Sequence, residues 1–311
     1  MIGTCPYPMP TAETVCSMPG LLYFIWEREA IRLARENGHP APWTVDPILR
    51  KYKFTNIRRR DDRGSKWIID HLIEPAAANG DEHLWFTLLV ARLVNWPPTL
   101  QALIQAGVLP SPPAGFDALR FESVLEALRA TGVKVYSGAY MLYPTKNPGI
   151  NKARTVAKYI IGSVVQNAPH IHNELWREDL EEGGSIERFV AALSTCFGVS
   201  TFMAGQVAAD LTYHPDSHLS CAADLYSYAP MGPGSLRGLN YLHGRAPFAA
   251  WASGIFTSKL QEINDHIANE LDLTDLTLHD VQNCMCEYSK YCRTLLGEGK
   301  PKNTYIPEKD F

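Results

Sequence analysis

Several features that would identify common classes of protein are missing from this sequence. No apolar run is long enough to span a membrane, and the first part of the chain lacks the basic start and continuous apolar stretch of a signal peptide. We therefore expect a protein without membrane association that acts in the cytoplasm. The seven cysteines are an odd set without framework spacing, which favours reduced thiols. Cys284 and Cys286 would point about 200° apart on one helix, so no metal site is predicted.

Motifs and charge exclude further classes. The string GxxxxGK(S/T) does not occur, which argues against ATP hydrolysis at a P-loop. Four-cysteine arrays with iron–sulfur spacing are also absent. The net charge of −4 argues against binding nucleic acid through bulk positive charge, but it leaves room for a local basic groove.

Helical patterns dominate what is present. Over 311 residues the hydrophobic fraction is 46%, enough for a substantial core. Ser17 can cap a helix over residues 19–37, and Thr277 with Asp280 can cap a helix over residues 278–295. Only residues 133–141 alternate like a strand. We predict a mostly α fold with at most a short β element, built as a single globular helical unit over residues 1–311 or as two interleaved lobes with the site between them.

A helix-hairpin-helix pattern lies at about residues 186–211. Gly198 can adopt the positive φ of a tight turn, and Ser200 can cap the second helix, which then runs to about residue 211. Such a hairpin exposes backbone N–H groups and a helix N-terminus, which suits a DNA phosphate. We therefore predict contacts with the DNA backbone at Gly198, Ser200 and Thr201.

The most charged segment covers residues 54–67, FTNIRRRDDRGSKW. If it is helical, one cationic face contains Asn56, Arg59 or Arg60, Arg63 and Lys66, and Asp62 could orient the arginines. Arginine forks suit phosphate or pyrophosphate oxygens. A solvated charged face is the open alternative.

Three other segments offer polar groups. Residues 225–240 are rich in glycine and proline and read as a loop, in which Ser235, Arg237 and Asn240 offer donors to an anion. On the last helix, Glu287 and Lys290 are either acid–base groups or a surface pair. Two more arginines stand in helical segments: a buried Arg92 would need a partner, and the pair Glu27–Arg28 is interpreted as a solvated surface pair in preference to a site-facing one.

Taken together, the segments FTNIRRRDDR, LVARLVNWP, SGAY, GVSTFMAGQVAADL, APMGPGSLRGLN and DVQNCMCEYSKY resemble one family. These are the alpha-glutamyl/putrescinyl-thymine pyrophosphorylases of thymidine-hypermodifying bacteriophages, also described as amino acid:DNA transferases. The resemblance implies a helical fold similar to helix-hairpin-helix DNA glycosylases. It also implies transfer of an amine, from an amino acid or a polyamine, onto the 5-methylene carbon of pyrophosphorylated 5-hydroxymethyl-deoxyuridine in DNA, with release of pyrophosphate.

The resemblance and the residue chemistry together suggest roles for particular side chains. Asp224, which stands where such glycosylases carry a catalytic aspartate, is the preferred proton acceptor and Glu287 the second. The predicted pyrophosphate ligands are Arg59, Arg63, Arg237 and Ser235. The predicted contacts to substrate or amine are Asn56, Asp62, Tyr140, Asn240, Gln282, Asn283 and Lys290.

The implied partners are double-stranded DNA carrying a modified thymine and a small amine, downstream of a separate DNA hydroxymethyluracil kinase, in the cytoplasm of an infected bacterial host. No cofactor is predicted, and a divalent cation that accompanies the pyrophosphate is left open. Two other functions stay open: a monofunctional DNA glycosylase, and a non-catalytic module that binds modified DNA. A lyase-type glycosylase is disfavoured because residues 193–258 contain no lysine.

Overall fold

The computed structural model describes residues 5–138, 151–177, 184–302 and 304–305. Helices form nearly all the regular structure of these residues, and the one pairing of extended backbone among them is an isolated antiparallel bridge between Tyr52 and Thr304. The prediction of a mostly α fold is confirmed.

In chain order the helices are α1 (Met18–Glu36), α2 (Pro47–Lys51), α3 (Arg63–Ile68), α4 (Glu74–Asn79), α5 (Leu84–Val94), α6 (Pro97–Gln105), α7 (Ala118–Ala130), α8 (Lys152–Arg154), α9 (Gly162–Leu175), α10 (Ile186–Ser194), α11 (Thr201–Leu211), α12 (Pro233–Leu242), α13 (Ser253–Leu271) and α14 (Leu278–Leu295).

Two compact units divide the chain. The first combines both chain ends, Met1–Asp62 and Tyr226–Phe311, and the second is Arg63–Leu225. Short 3₁₀ turns occur at Arg59–Asp61 and Pro113–Gly115, and π-helical stretches at Ile69–Ile73 and Thr155–Ile161. No helix of the described residues has the length and apolar character needed to cross a bilayer.

In the first unit, helices α1, α2, α12 and α13 all contact α14. The predicted caps of α1 and α14 are confirmed: Ser17 accepts from the backbone N–H of Gly20, and Thr277 forms a capping box with Asp280. Because these helices surround α14, one face of it is fully buried. This face contains Val281, Met285, Tyr288 and Cys292, which recur at a spacing of three or four residues.

Residues 225–240 are partly helical, so their interpretation as a loop is wrong. Helix α12 begins at Pro233 and approaches α14 so closely that a Cβ on Gly238 would lie 2.1 Å from the carbonyl oxygen of Met285. A Cβ on Gly234 would lie 2.3 Å from Sγ of Cys286. These glycines therefore permit helix–helix contact, and neither of them forms a turn.

In the second unit, α5 is buried along its whole length, and Arg92 on it finds the partner that burial requires. Its Nε lies 2.5 Å from Oδ2 of Asp210 on α11, and its Nη2 donates to Ser65 at 3.1 Å. The predicted helices on both sides of Gly198 are confirmed as α10 and α11, with Ser200 as the N-cap of α11.

Two local predictions are wrong. Residues 133–138 form no strand, because their backbone is held by side chains such as that of Thr99, which donates to the carbonyl of Val135 at 2.9 Å; residues 139–141 lie outside the described residues. Residues 54–67 do not form one helix, since the chain leaves helical geometry at Asp62 (φ −67°, ψ 138°).

Candidate functional site

Residues 54–62 fold into a loop held by its own side chains. The carboxylate of Asp62 accepts the backbone N–H of Asn56 at 2.7 Å, and the Asn56 side chain donates to the carbonyl of Asp61 at 2.7 Å. Such local bonds compete with a helix. The prediction of one cationic helix face is therefore wrong: Arg59 belongs to a 3₁₀ turn, whereas Arg63 begins α3 in the second unit.

This loop lies against α14. The N–H of Arg59 donates to Asp280 at 2.9 Å, and its guanidinium approaches His279 at 3.1 Å. The side chain of Asn283 donates to the hydroxyl of Thr55 at 3.0 Å. Residues that are more than 200 positions apart in the chain thus form one polar surface inside the first unit.

Glu287 and Lys290 complete this surface. The side chain of Glu287 is 4% exposed and that of Lys290 41% exposed, and the two form an ion pair. Although burial lowers the pKa of Lys290, the charges of Glu287 and Cys286 outweigh that effect and raise it. The pair is therefore no solvated surface pair: it places a buried carboxylate beside a permanently charged ammonium.

Arg28 on α1 is the buried cation of this region, with an exposed fraction of 6%. Its guanidinium carbon is 5.6 Å from the centroid of the Phe54 ring. Burial lowers the pKa of Arg28, and the charges of Glu287 and Asp62 partly offset this. No hydrogen bond to Arg28 is formed by the described residues. The interpretation of Glu27–Arg28 as a surface pair is wrong, since Glu27 accepts from Thr44 instead.

Arg28 lines a cavity of about 320 Å³ in the first unit, and Asn56 is part of the same wall. The volume lies at the lower end of the range of small-molecule sites, about 300–1,000 Å³. No aspartate or glutamate is among the described residues that line it. Its aromatic and cationic walls are formed by Trp43, Tyr52, Phe54, Tyr305, Arg28, Arg35 and Arg50.

Asp62, which accepts the backbone N–H of the cavity residue Asn56, has an altered pKa. Burial raises the pKa of Asp62 to about 6, while the N–H of Asn56 and the charges of Arg59 and Arg28 lower it by less. The residue as a whole is partly exposed, so it is the carboxyl end that is desolvated. A carboxyl group with such a pKa can take up or release a proton near neutral pH.

Three predicted anion or substrate ligands in the first unit have structural contacts instead. Ser235 is fully buried and accepts a hydrogen bond from Gln282 at 3.1 Å, so both side chains belong to the packing of α12 on α14. Asn240 donates to the carbonyls of Pro247 and Ala249 at 3.2 and 2.9 Å. Because their donors are used inside the protein, we do not include these three residues in the site.

Arg237 remains partly exposed, and its guanidinium carbon lies 4.7 Å from the ring centroid of Phe248.

Asp224 caps a helix in the second unit. Its two oxygens accept from the backbone N–H groups of Ile186 and Glu187, both at 2.8 Å, and from the hydroxyl of Ser185 at 2.9 Å. A carboxylate at the N-terminus of α10 is stabilised there by the helix dipole. These hydrogen bonds account for the position of Asp224, and its catalytic role stays a prediction.

The hairpin residues also lie in the second unit. Gly198 has φ +75°, and a Cβ there would lie 2.8 Å from Cγ1 of Ile160. Ser200 accepts from the N–H of Met203 at 3.2 Å, and Thr201 is exposed.

Tyr140 lies outside the described residues. Among the described residues, no group of three or more His, Cys, Asp or Glu side chains could hold a metal ion.

Sequence reasoning placed Arg28 on the surface and missed the aromatic wall. The signal was present, since Arg28 and Glu29 continue a helix whose residues 20–25 are all buried. An arginine on such a helix, followed by the aromatic residues at 43, 52 and 54, is a pattern that favours a site over a solvated pair.

Comparison of the sequence with known proteins finds a match to one family model and to one curated relative. The model of the family described as "5-hmdU DNA kinase, helical domain" matches residues 17–300. A 5-hmdU DNA kinase of Bacillus phage SP10 is 25% identical over 284 residues, covering 86% of this chain and 42% of the relative. The chain thus spans about two fifths of the length of that relative. No solved structure matches significantly. Because the family model covers most of its length, the chain belongs to the family of the 5-hmdU DNA kinase helical domain.

Proposed function

We propose that this protein is an enzyme of thymine hypermodification in phage DNA. In this proposal it transfers an amine, from an amino acid or a polyamine, onto the 5-methylene carbon of pyrophosphorylated 5-hydroxymethyl-deoxyuridine in DNA. Membership of the family and the phage source of the relative support a substrate that contains 5-hydroxymethyl-deoxyuridine. The observation that carries the proposal is the buried Arg28, which lines an aromatic cavity and has no hydrogen-bond partner among the residues that the structure describes.

The cavity suits a base taken out of the DNA stack. Extrusion of a base costs a few kcal/mol, and stacking on aromatic side chains returns about 1–3 kcal/mol per base. Trp43 and Tyr305, whose ring centroids are 5.9 Å apart, lie on this wall with Phe54. Asn56 also lines this wall, and because its side-chain N–H already donates to Asp61, its side-chain oxygen is the group it offers to the polar edge of the base.

Charge at the cavity suits a pyrophosphate leaving group. When the amine nitrogen bonds to the methylene carbon, the C–O bond to pyrophosphate breaks and its electron pair leaves with the oxygen. The guanidinium of Arg28 stabilises that developing negative charge in a site of low polarity. Arg35, which also lines the cavity, adds positive charge.

The amine must also lose a proton. Glu287, Asp62 and Glu29 are the carboxylates whose charges raise the pKa of Arg28, and the first two act on it most strongly. With its pKa raised to about 6, Asp62 is a stronger base than an ordinary carboxylate and is largely ionised at neutral pH. We assign proton uptake to Asp62. The Glu287–Lys290 ion pair is assigned an electrostatic role, since the charge of Glu287 acts on both Arg28 and Asp62.

The proposed reaction needs DNA and an amine as partners. The α10–α11 hairpin, with Gly198, Ser200 and Thr201, is proposed to contact the DNA backbone as a helix-hairpin-helix similar to that of DNA glycosylases. The reaction would follow a separate DNA hydroxymethyluracil kinase in the cytoplasm of the infected host. It needs the amine as co-substrate, and a divalent cation could accompany the pyrophosphate.

The experiment is amine transfer to a DNA duplex that contains the pyrophosphorylated base. The protein is incubated with glycine, serine, glutamate or putrescine, and the nucleosides are analysed by mass spectrometry. We expect an aminated thymidine with at least one donor. Arg28→Met and Arg28→Lys should both lower the rate by about 10²–10³-fold, because lysine keeps the charge but lacks the fork of a guanidinium.

A matched control is Arg129→Met on α7, whose side chain is 68% exposed and should leave transfer unchanged. Arg28→Lys also guards against misfolding, since it keeps the buried charge that Glu287 and Asp62 face. Abasic sites would favour the glycosylase, phosphate transfer from ATP to the unphosphorylated base would favour a kinase, and binding without any product would favour a recognition module. Each of these outcomes contradicts the transferase.

A further inference from the structure

Acidic residues are missing from one part of the first unit. The chain contains 33 aspartates and glutamates, but none occurs from residue 226 to residue 261. The same segment contains Arg237, Arg245 and Lys259, of which Lys259 forms an ion pair with Glu262 just beyond the segment. A protein with a net charge of −4 therefore has one locally cationic segment, which covers α12, the loop after it and the start of α13.

The loop between α12 and α13, residues 243–252, is held firmly although much of it is exposed. Asn240 donates to the carbonyls of Pro247 and Ala249 and accepts the indole N–H of Trp251 at 2.6 Å. Arg245 donates to the carbonyl of Ala250 at 3.0 Å. One buried amide thus fixes three positions of this loop, so its exposed side chains are presented in a defined arrangement.

Cations and aromatic rings alternate on this loop. Phe248 is 76% exposed, and the guanidinium of Arg237 lies over its ring. The guanidinium of Arg245 lies 3.9 Å from the ring centroid of Trp251. The buried Nε of Arg237 has no hydrogen-bond partner among the described residues. Exposing a phenylalanine to this extent loses the free energy of its burial, which a monomer does not recover unless something stacks on the ring.

We propose that Arg237, Arg245, Phe248 and Trp251 form a DNA-docking surface in which Phe248 stacks on a base and the two arginines contact phosphates. Every base has a face on which an aromatic ring can stack, and cations beside such rings follow the phosphate backbone. The lack of acidic residues in the segment favours a polyanion over an apolar protein partner. This inference rests on the proposed DNA substrate and adds the surface that holds it.

The test measures binding and base extrusion separately. A fluorescent duplex that contains 5-hydroxymethyluracil reports the Kd by anisotropy, and 2-aminopurine beside the modified base reports unstacking. We expect Phe248→Ala to raise the Kd by about 5- to 100-fold and to abolish the rise in 2-aminopurine fluorescence. Phe248→Tyr, which keeps the ring, should restore both. Arg245→Gln should reduce the slope of log Kd against log salt by about 1.

The matched control is Leu119→Ala, which removes an 80% exposed apolar side chain from α7 and should change neither signal. Wild-type binding that Phe248→Ala leaves unchanged would overturn the docking surface alone, and the transfer assay with Arg28→Met would still test the proposed function. A change in oligomeric state with unchanged DNA binding would overturn it as well, since the surface would then join two copies. Failure of the wild type to bind any duplex would overturn both proposals.

Discussion

A guanidinium buried as deeply as that of Arg28 is costly unless carboxylates and hydrogen bonds compensate for its lost hydration. Glu287 and Asp62 supply the opposite charge, but no described residue supplies a hydrogen bond. A core built for stability alone would place an apolar side chain there. The residue is better explained by a ligand that brings its own oxygens, which is the role proposed for the pyrophosphate.

Asp62 leads to a prediction about stability against pH. Its pKa of about 6 in the folded protein lies above the ordinary aspartate value, so folding favours the protonated form. Its contribution to the free energy of unfolding is therefore fully present below about pH 4 and is lost as the pH rises to about 6. Two pKa units correspond to about 3 kcal/mol, an upper value for this loss.

The variant Asp62→Asn keeps an acceptor for the N–H of Asn56 but cannot ionise. We expect it to exceed the wild type in free energy of unfolding by about 1–3 kcal/mol at neutral pH and to match it near pH 4. Urea denaturation across this pH range measures the difference. Asp62→Ala, which loses the acceptor, should be less stable than Asp62→Asn throughout. A difference that does not vary with pH would contradict the raised pKa.

Among the elements, those with local end signals could be predicted from sequence. Ser17, Ser200 and the Thr277–Asp280 pair all cap the helices assigned to them, because a cap needs only residues within one turn. Residues 225–240 were wrongly interpreted as a loop because their structure depends on a distant part of the chain. Glycine serves both a turn and a close helix contact, and which of these applies depends on a partner helix about 50 positions away in the sequence.

The contact of α12 with α14 leads to a matched pair of glycine substitutions. Gly238→Ala places a Cβ 2.1 Å from a backbone oxygen, which cannot move without shifting α14. We expect it to lower the free energy of unfolding by about 3 kcal/mol or more. Gly254→Ala lies within α13 and meets nothing within 4 Å, so the better helix propensity of alanine should raise stability by up to about 1 kcal/mol. Thermal unfolding of both variants checks the pair, and similar Tm values would contradict the close contact.

On the scale of the whole molecule, the candidate site joins α1, the loop over residues 54–62 and α14. Thr55 and Asn283 are 228 positions apart and still share a hydrogen bond. The residue types of the site, namely arginines, a buried carboxylate and the Glu287–Lys290 pair, could be read from sequence. Their grouping could not, because it depends on which helix faces which. Ser235, Asn240 and Asp224 each have a partner within the protein, and the roles that the sequence suggests for them stay predictions.

The seven cysteines provide a prediction for the whole chain, because all of them are free thiols. Cys221 is exposed, and Cys16 is partly exposed with its pKa lowered to about 7, mainly by a hydrogen bond with Cys292. We expect iodoacetamide at neutral pH to label these two first, and labelling of Cys16 to increase with pH through about 7. Burial raises the pKa of Cys284 and Cys292, so both should react only after unfolding. Peptide mass spectrometry follows each site, with Cys16→Ser as the control for the early label. Fewer than seven labels in denaturant without reductant would show a disulfide and contradict the free thiols.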